Sequence, residues 1–305
     1  MKRSGRASAL QAGWLLLALA AAAGCAEVAQ MGTAIGQASG ALTTEQAQSI
    51  NRTAVAMDKT FKDITPEQEY YIGRAVAASV LDKYRPMEGE SANRYINVLG
   101  QALAQASDRP ETFGGYHFQV LASEEINAFA APGGLIMVSR GLLRCCKSED
   151  AVAAVLAHEI GHVQGAHGLR AIRTGRLTSA LTILAAESAK NLGNEQLAEL
   201  TRTFEGSISD ITSTLMNSGY SRNLEREADA SAVTILKRVG YNPHALLDML
   251  GEMKRNLKPG GPDFAKTHPD PEDRMADVRL LIGAASASPA PAARQQRFEK
   301  ALSRL

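Results

Sequence analysis

Apolar residues recur at helical spacing from about residue 66, switch to alternation near residue 117, and return to helical spacing before residue 150. Thr65-Pro66-Glu67-Gln68 offers an N-cap, a proline at the first helical position and a capping-box glutamine, which predicts a helix from 66 to about 84. Tyr95, Val98, Leu99, Ala102 and Leu103 recur at helical spacing and predict a second helix from about 91 to 106. The period then becomes two. His117-Phe118-Gln119-Val120-Leu121, Asn127-Ala128-Phe129-Ala130-Ala131 and Leu135-Ile136-Met137-Val138-Ser139 read as three short strands, the last two separated by Pro132-Gly133-Gly134.

Ser148-Glu149-Asp150 caps the next helix, expected over 149 to about 165, and sets carboxylates at its positive end. Residues 175–216 are helical by composition but weakly patterned and suit either a lid or a packing arm. The apolar run 177–186 is too short to cross a membrane. A strongly patterned helix follows from about 222 to 239, ended by Gly240 and Pro243, and another covers 244 to about 256. Thr267-His268-Pro269-Asp270 opens a short helix to about 282, and an Ala/Ser/Pro linker leads from it to a small amphipathic helix at the end. No internal repeat is visible. The pattern is that of an α+β fold, mostly helical with a small sheet.

Composition changes the picture mainly at the start. Lys2, Arg3 and Arg6 precede an unbroken apolar run from 14 to 23, and Ala22-Ala23-Gly24-Cys25 closes it with small residues and a cysteine. This reads as a secretory signal over 1–24, and it resembles a bacterial lipoprotein signal in which Cys25 is lipidated. Ordinary secretion is the alternative. Residues 25–62 then form a tether with a short helix, 63–282 the main domain, and 283–305 a linker and tail. Loss of Lys2, Arg3 and Arg6 takes the formal charge from +1 to −2, with no basic run left to suggest nucleic acid. Cys145 and Cys146 are adjacent, so a bridge between them would be strained, and they read as two small buried residues.

The chemistry concentrates in His158-Glu159-Ile160-Gly161-His162. On a helix the two histidines lie on one face and can offer two imidazole nitrogens to one Zn²⁺, while Glu159 stands close enough to take a proton from water at the metal. A third ligand is needed. The metzincin pattern requires a histidine at 168, where the chain has Gly168; His167 comes one residue early and reads as a histidine hydrogen-bonding at the helix end. The other solution is a carboxylate from a second helix. In Ser221-Arg222-Asn223-Leu224-Glu225-Arg226-Glu227-Ala228-Asp229, Glu225 and Asp229 share a face, whereas Glu227 points about 160° away. Glu225 would ligate zinc and Asp229 would accept from the far nitrogen of a ligating histidine. The plainer reading of this helix is a solvated face with ion pairs to Arg222 or Arg226.

These residues resemble the CAAX-prenyl-protease and HtpX-like zinc metallopeptidases, family M48. The two-histidine motif, Ser221-Arg222, Glu225 with Asp229, Asn127-Ala128-Phe129 with Pro132-Gly133-Gly134, and the late His268-Pro269 with Arg274 all fit that pattern, over roughly 63–282. The resemblance implies a zincin-like, gluzincin peptidase whose edge strand borders the cleft. It implies one Zn²⁺ on His158, His162 and Glu225, with Glu159 as the base. Asn127, Ala128 and Phe129 would pair with an extended peptide, or form a plain inner strand. His268 could stabilise the oxyanion, occupy the metal's fourth position, or cap a helix. Arg274 could pair with a cleft carboxylate, stabilise developing charge, or lie on the surface. Together with the signal, the resemblance implies a periplasmic, lipid-anchored endopeptidase, the outer membrane favoured. Its substrates would be unfolded or misassembled envelope proteins, and outer-membrane assembly machinery a possible partner. A chaperone or assembly factor for outer-membrane proteins, with a latent zinc site, is the alternative.

Overall fold

A computed structural model describes residues 64–172, 205–256, 271–283, 290–303 and 305. Thr65–Leu305 make up one compact unit. Helix α1, Pro66–Lys83, starts on the expected capping box: Thr65 Oγ1 accepts from the Gln68 N–H at 3.2 Å, and Gln68 Oε1 accepts from the Thr65 N–H at 2.9 Å. Helix α2 spans Glu90–Gln105, and its buried stripe is Ala92, Ile96, Leu99, Leu103 and Ala104. Two residues expected on that stripe are not there. Val98 is 67% exposed and Ala102 is exposed, because the face that meets the sheet is centred on Ile96 and Leu103, and at 3.6 residues per turn 98 and 102 lie more than about 100° round the helix from it.

Among the described residues the sheet has three strands, β1 (His117–Leu121), β2 (Ala128–Ala131) and β3 (Leu135–Ser139), in the order β1-β3-β2. β1 runs parallel to β3 with His117 opposite Leu135, and β2 runs antiparallel to β3 with Ala128 opposite Val138. Among the described residues β2 is therefore an edge strand, one residue shorter than the pattern suggested, and all four of its residues are buried. Helix α3, Arg140–Cys145, follows at once with Ser139 as its N-cap.

Helix α4, Glu149–Gln164, lies in the core of this unit: every residue from Glu149 to Val163 is buried. Ser148 caps it by accepting from the Ala151 N–H at 3.2 Å. Its alanine-rich sequence presents small residues on all sides, so neighbours can approach it on every face. Those neighbours are α2, β2, α6 (Arg222–Arg238) and α7 (His244–Asn256). A four-residue helix, α5 (His167–Arg170), folds back from its end, and a π-helical turn at Thr214–Ser218 leads toward α6. Helix α8 (Pro271–Ile282) packs on α6 and α7.

The last helix, α9 (Ala292–Leu302), is not a loose tail. Arg294 pairs with Asp150 at 3.2 Å and Arg297 with Glu149 at 2.5 Å, so it neutralises two carboxylates buried at the start of α4. Tyr241 also donates to Glu149 at 2.8 Å. Cys145 and Cys146 are both free and buried, as small residues leading into α4. No helix among the described residues is long and apolar enough to cross a membrane.

Candidate metal centre

Helices α4 and α6 pack closely and bring two histidines of one to a carboxylate of the other. Nε2 of His158 and Nε2 of His162 lie 3.1 Å apart. Glu225 faces both, with Oε2 3.5 Å from His158 Nε2 and Oε1 3.4 Å from His162 Nε2. A tetrahedral ion with ligands at about 2.0–2.1 Å separates neighbouring donors by about 3.3 Å, so the three observed spacings bracket the edge such an ion requires. All three side chains are buried, and among the described residues they form a group able to hold a metal ion. Two neutral imidazoles and a carboxylate are a donor set suited to zinc.

The surrounding contacts hold the donors in place. His158 Nδ1 lies 3.0 Å from Asp229 Oδ1, the contact expected of a carboxylate that fixes a ligating histidine. Arg274 is buried, 4% exposed, and grips Asp229 through Nε at 3.0 Å and Nη2 at 2.7 Å, while Nη1 lies 3.2 Å from Glu225. It is a partner of cleft carboxylates and not a surface residue. Burial opposes the charge on Asp229, but Arg274 and His158 outweigh it and hold the carboxyl well below the usual range. Burial and the charge of Arg274 lower His158, but the hydrogen bond to Asp229 and the charges of Asp229 and Glu225 together outweigh them and raise its pKa. Burial, then the neighbouring His158, keep His162 far below the ordinary histidine value, in the neutral form that can coordinate.

Glu159 is buried beside this group, and among the described residues its Oε1 has no hydrogen-bond partner. Burial pushes its carboxyl up to about 7 against the lowering influence of His158. A small recess next to it is walled by Leu142, Val155, Leu246, Met249 and Met253, with Arg274 at its edge.

The plainer reading of α6, a solvated face at Glu225 and Asp229, does not hold, because both carboxylates are buried. Arg222 pairs instead with Asp273 at 2.9 Å and Arg226 with Asp277 at 2.7 Å, so both arginines serve the contact with α8. Glu227, turned from the site by its helical position, meets His167 and Arg170. His167 stands behind His162 and outside the donor set, in agreement with a hydrogen-bonding role. Asn127 precedes β2, and Ala128 and Phe129 lie on it. His268 and Cys25 lie outside the described residues. One neighbour escaped the sequence reading altogether: Tyr220 stacks on His162 with ring centroids 4.3 Å apart and planes at 20°. Its place just before Ser221-Arg222 carries no spacing signal that could have revealed it.

Residues 90–282 match the profile of Peptidase family M48. The chain belongs to that family. The match starts at α2, so α1 lies ahead of it, and it ends at 282 where the resemblance placed the end. The beta-barrel assembly-enhancing protease of Escherichia coli K12 is 33% identical over 197 residues, which cover 61% of this chain and 38% of that protein. That of Yersinia pestis is 30% identical over 243 residues, 76% of this chain and 46% of that protein. Metalloprotease LoiP of Escherichia coli is 25% identical over 199 residues, 65% of this chain and 73% of LoiP. The chain thus spans less than half the length of the first two of these family members.

Proposed function

We propose that this chain is a zinc-dependent endopeptidase of the bacterial cell envelope that cuts unfolded or misassembled envelope proteins. The carrying observation is the convergence of His158, His162 and Glu225 at tetrahedral spacing beside the buried Glu159. The three would hold zinc in the gluzincin manner. Bound there, zinc supplies Lewis acidity, making water a competent nucleophile near neutral pH and polarising a peptide carbonyl. Glu159 takes the proton of the water whose oxygen attacks the carbonyl carbon, and gives it to the amine as the C–N bond breaks. Burial raises the Glu159 carboxyl in the metal-free site, which favours a group able to hold a proton between taking it up and giving it back. Asp229 keeps His158 in the tautomer whose Nε2 is free to coordinate, and Arg274 holds Asp229 in turn.

An extended substrate would add to β2 at Asn127, Ala128 and Phe129. The Ser139 N–H donates to the Asn127 carbonyl at 2.9 Å, so by antiparallel alternation the Ala128 N–H faces away from β3. That N–H donates to the Asn127 side chain at 2.9 Å, an acceptor that a substrate carbonyl could replace. His268 is a candidate to stabilise the oxyanion or to hold the metal's fourth position. Lipidation at Cys25 would tether the enzyme in the periplasm, the outer membrane favoured. Relatives named for β-barrel assembly support outer-membrane proteins as substrates and their assembly machinery as a partner.

The test is cleavage of an unfolded β-barrel protein by purified protein and by Glu159→Gln, with zinc quantified in both. Cleavage by the wild type alone, with zinc in both, is the expected result. If neither cuts while both hold zinc and bind the substrate, the peptidase reading falls to that of an assembly factor.

A further inference from the structure

His162 is supported from behind by residues that the ligand motif does not include. Its Nδ1 lies 2.8 Å from Nδ1 of His167. Nε2 of His167 lies 3.1 Å from Oε2 of Glu227, and Arg170 holds the same carboxylate through Nη1 at 2.5 Å and Nη2 at 3.2 Å. His167 is fully buried.

One requirement orders the hydrogens along this row. To bind a metal, Nε2 of His162 must present a lone pair, so Nδ1 carries the hydrogen and donates it. Nδ1 of His167 then accepts, its own hydrogen sits on Nε2, and that N–H donates to Glu227. A row of two neutral rings thus ends on a carboxylate that a guanidinium fixes in place.

We propose that His167, anchored by Glu227 and Arg170, is a positioning residue that sets the tautomer and ring angle of His162 for metal binding. The proposal rests on the metal-site reading above. It gives both ligating histidines the same kind of support: His158 reaches the carboxylate of Asp229 directly, and His162 reaches that of Glu227 through one intervening ring. Glu225, Glu227 and Asp229 of α6 then serve one centre, although Glu227 leaves the helix on another side.

The backbone is shaped for this contact. Ala166 has φ 50°, the left-handed region, and it is the only non-glycine residue with positive φ among those described. Such a conformation costs about 1–2 kcal/mol for an alanine and persists where its surroundings require it. The turn it makes brings His167 back against His162. At Gly165 a Cβ would lie 2.2 Å from Nε2 and 2.6 Å from Cδ2 of the His167 ring, so a side chain there would displace the ring.

The test compares the full chain with its His167→Leu and Glu227→Gln variants. Zinc affinity is measured by chelator competition, and the visible absorption of the Co²⁺-loaded forms reports ligand geometry. Loss of such support weakens metal binding about 10–100-fold, which is the expectation for His167→Leu, with shifted Co²⁺ bands. Glu227→Gln should move both readouts the same way by at least about threefold in affinity. Unchanged affinity and bands in both variants overturn the proposal, even where the melting temperature falls. If His167→Leu does not fold, Glu227→Gln decides alone, since its side chain is 48% exposed and the change is nearly isosteric. Wild-type protein that takes up no zinc overturns the metal-site reading as well, whereas zinc-binding wild type with unaffected variants overturns this proposal only.

Discussion

Gly161 lies between the two histidines of the motif, where α4 crosses α6, and Gly161→Ala should damage the metal centre more than the fold. A Cβ at this position would meet the Ala228 carbonyl oxygen at 2.8 Å, the Ala228 Cα at 3.0 Å and the Ser231 Cβ at 3.1 Å. The closest of these is about 0.6 Å short of ordinary contact, and its partners are mostly backbone that cannot rotate away. The helices must therefore separate by a few tenths of an ångström. As overpacking, that costs about 1–3 kcal/mol of stability. The same displacement carries Glu225 from His158 and His162, and a metal site tolerates only about 0.2 Å in its ligand distances. Zinc affinity should fall at least about tenfold, equivalent to 1.4 kcal/mol, on top of any change in the metal-free melting temperature. Chelator competition gives the first quantity and a denaturant melt of the metal-free protein the second. Wild-type affinity in a stable Gly161→Ala protein would refute the claim that this helix contact sets the ligand spacing.

Glu225→Ala should leave the purified chain without zinc by atomic absorption, whereas Glu227→Ala should still load at saturating metal; equal loss in both would overturn the choice of third ligand. Arg274→Leu strands Asp229 and Glu225 as buried charges and should destabilise the metal-free protein by about 3–5 kcal/mol in urea; a change within error would mean the two carboxylates find other partners. Cys145 and Cys146 are buried and burial pushes both thiols up, so neither should react with iodoacetamide at neutral pH until the protein is unfolded. Labelling of the folded chain at a rate near that of the unfolded one would show that this part of the fold opens readily.

The sequence by itself determined much of the local structure, though not all of it: the Ser139 cap and the short helix α3 that it starts were not legible in the pattern. The Thr65 capping box, the Ser148 cap, the three short strands and the His158–His162 spacing each arise within a few neighbouring residues, and they appear in the structure within a residue or two of where the pattern put them. The pairing of Glu225 with Asp229 was also legible, since helical geometry alone puts positions four apart on one face. What faces that helix was not. Val98 and Ala102 kept helical spacing yet lie outside, because which side of an amphipathic helix meets the sheet is settled by its neighbours. The stacking of Tyr220 on His162, the approach of Gly161 to Ala228 and the grip of Arg274 on Asp229 join residues 45 to 67 positions apart. The row from His162 through His167 to Glu227 exists only because a left-handed turn at Ala166 folds α5 back against α6. Spacing fixes which donors share a face; only the packing of α4 against α6 and α8 decides which of those faces meet, because burial of a charge is stable only where its partners arrive with it.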